Sequence, residues 1–192
     1  MSVLRRVGGW VKLTGMLGLA CPVVGFTSIL LAVWLSPWFD WKGNALSDLG
    51  VGNASAVFNI GLMACGALYV AFALGLLSAI KGRLGMIGCW LMFVDGLFLI
   101  GVGAFPESCG TVHYYFSVLF FIFIPISLWT MGAWLFTVKD ERRLAYFTVL
   151  MGVLSAVVWV MPHDGVAIPE AASSLAASAW IWTLSVNILK EV

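Results

Sequence analysis

The stretch YYFSVLFFIFIPISLWTMGAWLFTV, residues 114–138, carries no charged side chain from end to end. A helix needs about 20 mostly apolar residues to cross a bilayer, and this stretch has them. Working outward, five more stretches qualify. The six predicted spans are 12–36, 55–80, 84–105, 114–138, 144–161 and 168–189, of which 144–161 is the shortest. The predicted fold is all-α, a single domain over residues 1–192 with six transmembrane helices in one bundle.

Composition agrees. Of 192 residues, 62% are apolar and 10% charged, against about 45–50% and about 25% in ordinary soluble domains. A globule of this size leaves too much of its chain in water to hide that apolar surface. A soluble enzyme, a disordered chain and a disulfide-knit secreted domain are excluded. No Lys/Arg run suggests nucleic acid, and the four cysteines form no C-x-x-C pair.

Arg5 and Arg6 give the first span a basic start, and Gly18-Leu19-Ala20-Cys21 resembles a lipoprotein cleavage site. The apolar run continues to Leu35, beyond the length of a signal h-region, so a retained helix is expected. With six spans, Arg5, Arg6, Lys12, Lys81, Arg83, Lys139, Arg142, Arg143 and Lys190 share one side, and Lys42 stands alone on the other. The positive-inside rule then predicts a multi-pass protein of the cell membrane with both termini cytoplasmic.

The outer face receives Asp40, Asp48, Glu107, Asp164, Glu170, His113 and His163. Two imidazoles and several carboxylates suit a divalent-metal site, with His113, His163 and Glu107 as ligands and an open water for hydrolysis. None of these residues has the i,i+4 spacing that would fix ligand geometry on one helix, so the fold must bring them together. Each also has a plainer reading. Pro169-Glu170 is a good helix start, and His163-Asp164-Gly165 is a natural turn. Cys109 beside His113 raises a thiolate–imidazole pair, whereas Cys21, Cys65 and Cys89 read as small packing residues.

Away from the ends of the spans, Asp95 is the only charged side chain in them, at a depth similar to Pro22 and Pro125. An ionised Asp there costs about 2.5–3.5 kcal/mol. It reads either as a proton or cation site in a transport path, or as a neutral acid bonded to a carbonyl freed by a proline, that of Gly18 or Phe121. Small residues at the start of the sixth span, Ala171 to Ala179, place that half-helix in the middle of the bundle. Loop 1, residues 38–54, with Trp38, Phe39 and Trp41, suits lying along the headgroup layer. Asn53-Ala54-Ser55 matches a glycosylation acceptor, set too close to a span for modification.

Ser47-Asp48-Leu49-Gly50, Phe58-Asn59, Phe105-Pro106-Glu107, His113, Phe120-Phe121 before Pro125, and Ala167-Ile168-Pro169-Glu170 together resemble one family. It is the prokaryotic membrane family catalogued as domain of unknown function 998, and the resemblance runs from Lys12 onward. It implies a six-helix membrane protein akin to the Frag/DRAM/Sfk group, whose members are linked to lipid handling. On that pattern Ser47, Asn59, Glu107, His113 and Glu170 are the outer-site positions, and His163, Asp164 and Cys109 are not.

The expected function is therefore an outward polar pocket that binds or handles a lipid or other amphiphile through Ser47, Asn59, Glu107, His113 and Glu170. Membrane lipids are the expected partners, no cofactor is required, and association with further copies of the chain is left open. The alternatives are a metal-assisted hydrolase and a proton- or cation-coupled transporter built on Asp95.

Overall fold

Backbone in hydrocarbon must satisfy its own hydrogen bonds, so long apolar runs become helices. The computed structural model describes residues 8–190; Arg5 and Arg6, part of the charge asymmetry above, lie outside them. The helices are α1 Gly8–Trp34, α2 Ser55–Ala79, α3 Arg83–Ala104, α4 Thr111–Phe136, α5 Arg142–Val157 and α6 Ala167–Lys190. Two short 3-10 turns, Leu46–Gly50 and Glu107–Cys109, lie in the connections, and no strand occurs among the described residues.

Five helices, α1 to α4 and α6, are long and apolar enough to cross a membrane. The fifth differs from expectation. It has 16 residues and is about 24 Å long at about 1.5 Å per residue. The predicted end at Met161 falls instead at Val157, and residues 158–160 form a turn. Pro162 disfavours helical backbone in the residue before it, which opposes continuation.

Each helix packs on its neighbours in sequence, and α6 closes the ring by packing on α1. The expectation that α6 lies in the middle of the bundle is corrected here: it is one stave of the ring, between α1 and α5. Its Ser185, Ile188 and Leu189 meet Gly15 and Gly18 of α1. On the other side the Trp180 Nε1–H donates to Thr148 Oγ1 of α5 at 2.8 Å. Both residues are fully buried. Thr148→Val keeps the shape and strands that donor, so it should cost about 1–3 kcal/mol. Thermal unfolding in detergent should show a lower Tm for Thr148→Val and near-parent behaviour for Thr148→Ser.

Helices that alternate in direction leave two chemically different ends. Lys12, Lys81, Arg83, Lys139, Arg142, Arg143 and Lys190 sit at the basic end. The other, acidic end holds residues 35–54, 105–110 and 158–166. Loop 1 does not simply lie along a surface. Trp38 and Trp41 are exposed, but Leu46 and Leu49 are buried. The Gly165 N–H donates to the Lys42 carbonyl at 2.6 Å, and the Ala167 N–H to that of Asn44 at 2.9 Å. The loop is a plug over the acidic end of the ring.

Candidate functional site

Gly110 stands between the Glu107–Cys109 turn and α4 with φ 57° and ψ −117°, a backbone region that glycine enters without the penalty of a Cβ. The chain reverses there and brings Phe105 over the first turn of α4. His113 is buried, with Nδ1 2.8 Å from the Phe105 carbonyl oxygen and Nε2 3.1 Å from Ser117 Oγ. A carbonyl only accepts, so Nδ1 carries the proton, and in the neutral ring Nε2 accepts from the Ser117 hydroxyl.

Glu170, in the first turn of α6, is also buried, and its Oε2 accepts the Leu46 N–H at 2.7 Å. That bond pins loop 1 and places Ser47 and Asp48 beside Glu107. Burial, then a hydrogen bond and repulsion from the Asp48 carboxylate, push the Glu107 carboxyl up to about 7, while the Ser47 hydroxyl opposes the rise. Asp48 Oδ2 is itself held by Asn44 Nδ2 at 2.7 Å and the Ala45 N–H at 3.1 Å.

Two spaces open from this cluster. A central cavity is lined by residues of α1, α2, α3, α4 and α6, and includes Ser47, Glu170, Tyr69 and Asp95. A lateral groove of about 1580 Å³ runs along α4 past Ile122, Pro125 and Trp129, with Ala156 and Trp159 on its other wall. Ser47, Ser117, Phe121 and Glu170 line both. The groove runs past the last turn of α5 and the turn that follows it.

Of the five positions expected in the pocket, Ser47, Glu107, His113 and Glu170 line the groove. Asn59 lines neither space; its Nδ2 donates to the Gly50 carbonyl at 2.9 Å and ties loop 1 to α2. His163, Asp164 and Cys109 are exposed and line neither space. Among the described residues no three His, Cys, Asp or Glu side chains are placed to hold a metal ion. Both ring nitrogens of His113 are engaged, so the proposed trio of His113, His163 and Glu107 does not come together.

Asp95 is fully buried. Tyr69 of α2 donates to its Oδ2 at 3.5 Å, and Oδ1 has no partner. That tyrosine is the polar neighbour a reading along α3 alone cannot supply. Cys21 and Cys65 also meet, Sγ to Sγ at 3.6 Å, with each thiol near the other's carbonyl. Ser117 and Trp159 were missed in the sequence. The i,i+4 spacing from His113 to Ser117 on a helix was the available signal for Ser117.

No curated protein and no solved structure matches this chain. Residues 19–187 match the model of the family described as protein of unknown function, DUF998, and the chain belongs to that family.

Proposed function

We propose that the protein binds or handles a membrane lipid or similar amphiphile, with the polar end at Ser47, Glu107, His113 and Glu170 and the apolar end along the groove. The observation that carries this reading is the junction of spaces: a polar mouth at Glu107 and His113 opens into an apolar groove, which shares Ser47, Ser117, Phe121 and Glu170 with an interior cavity. Such a site matches a molecule with a polar head and a long tail. The charge asymmetry supports placement in the cell membrane with cytoplasmic termini and an outward acidic end. No cofactor is needed for this role.

The mouth offers carboxylates and, at that end of the bundle, Lys42 as the only Lys or Arg among the described residues. It therefore favours a cationic or hydroxyl-rich headgroup over a bare phosphate, which wants Arg. Glu107 has its carboxyl raised to about 7, so it is ionised above that pH and neutral below it. Affinity for an amine-bearing lipid such as phosphatidylethanolamine should fall as pH drops through about 7. Native mass spectrometry from mild detergent tests both points. A retained lipid that is lost on acidification and weakened by Glu107→Gln is expected. A protein with no bound lipid, or lipid affinity independent of pH, would count against the reading.

A further inference from the structure

We propose that Ser117 is a nucleophile activated by His113, and that the amphiphile handled at this site is a carboxylic ester cleaved at the junction of head and tail. The inference rests on the lipid-binding reading and names its substrate class.

The geometry is that of a nucleophile, its base, and a group that orients the base. Ser117 Oγ lies 3.1 Å from His113 Nε2, and the Phe105 carbonyl, 2.8 Å from Nδ1, fixes the tautomer that leaves Nε2 free to take a proton. Ser117 lines both the groove and the cavity, whereas the base behind it is buried. Phe105 acts as a positioning residue through its backbone.

Depth selects the bond. Glu107 lies before the start of α4, at the level of the polar mouth. Ser117 stands one helical turn beyond His113, and below it the groove becomes Phe121, Ile122 and Pro125. A molecule with its head at Glu107 and its tail on Pro125 sets its head-to-tail linkage at the height of Ser117. In an acylated lipid that linkage is an ester. A carbonyl partner stabilises an imidazolium less than a carboxylate would, which suits an ester better than an amide.

A donor for the reaction's negative charge is also present. The Trp159 Nε1–H is buried without a partner and Trp159 lines the same groove. Its ring packs on Phe121, centroids 4.8 Å apart, and Phe121 is one turn from Ser117. As Ser117 Oγ bonds to the ester carbon, its proton passes to His113 Nε2, and the oxyanion accepts from Trp159. The carbon–oxygen bond to the alcohol then breaks, and His113 returns the proton to the departing oxygen. Water repeats the path in reverse, releasing the carboxylic acid and restoring the Ser117 hydroxyl.

A long-chain alkyl fluorophosphonate tests this on the whole protein in detergent. Attack by Ser117 forms a phosphorus–oxygen bond and expels fluoride. Peptide mass spectrometry should place one adduct on Ser117, absent in Ser117→Ala and slowed roughly 100-fold or more in His113→Gln. Trp159→Phe should slow it to a similar degree. Tm and size-exclusion elution, measured on the same samples, show that each variant is folded. No adduct on Ser117 in folded protein, or an equal labelling rate in folded His113→Gln, would overturn the proposal. Bound lipid without labelling leaves lipid binding standing and removes the esterase. Labelling without retained lipid does the opposite, since the probe supplies its own tail.

Discussion

Gly66→Val should leave little folded protein after extraction in detergent. A Cβ at Gly66 would stand 2.9 Å from both the Gly96 carbonyl oxygen and the Ile100 nitrogen. These are backbone atoms of α3 and have no rotamer by which to withdraw. Gly96 reciprocates, with the Val70 nitrogen 3.2 Å and the Gly66 carbonyl oxygen 3.3 Å from its own notional Cβ. The α2–α3 contact is thus made by main chain on main chain, the means by which helices associate where lipid provides no hydrophobic drive. Overpacking typically costs about 1–3 kcal/mol and sometimes more, a large part of a total stability of about 5–15 kcal/mol. Gly88→Ala is the control. Its nearest neighbour is the Met131 thioether sulfur at 2.5 Å, on a flexible side chain that can move. Size-exclusion elution and Tm should separate the two variants clearly, and equal behaviour would mean that α2 and α3 are not so closely held.

Glu170→Ala should release loop 1 and abolish lipid retention together. The carboxylate is buried and accepts the Leu46 N–H at 2.7 Å across 124 residues of sequence. Without it a buried backbone donor has no partner, at a cost of about 1–3 kcal/mol. Leu46 and Leu49 then lose the bond that holds their segment in place, and Ser47 with Asp48 moves away from Glu107. Glu170→Gln retains an acceptor oxygen and should keep the loop docked. Hydrogen exchange over residues 42–50 should rise in the alanine variant and remain near parent levels in the glutamine variant. Unchanged exchange in both would show that packing and the loop's other hydrogen bonds hold the plug without Glu170.

The spans were readable because apolar length is a local property: α2 was expected at 55–80 and forms over Ser55–Ala79, and α3 at 84–105 forms over Arg83–Ala104. What escaped the sequence depends on which residues face each other. Nothing near Leu46 announces that its N–H will meet Glu170, or that Cys21 will meet Cys65. The small residues of α6 suggest close packing but not its direction, and Ser174, Ala177 and Ser178 line the central cavity. Ser117 was concealed differently. One hydroxyl on a long apolar helix is unremarkable until the Gly110 turn engages the other nitrogen of its imidazole neighbour. His163 shows the converse: a residue type suggestive of metal chemistry that the fold leaves exposed in the connection between α5 and α6.

The brevity of α5 has a consequence for the surrounding lipid. At about 24 Å it falls short of a hydrocarbon core of about 30 Å. A bilayer meets such hydrophobic mismatch by thinning locally or by drawing flanking polar groups inward, at fractions of a kcal/mol per Å. The deficit adjoins the groove mouth, because α5 ends where Ala156 and Trp159 form its wall. Lipids bordering that gap would lower their headgroups toward the midplane, so the membrane's own deformation would deliver them to the opening.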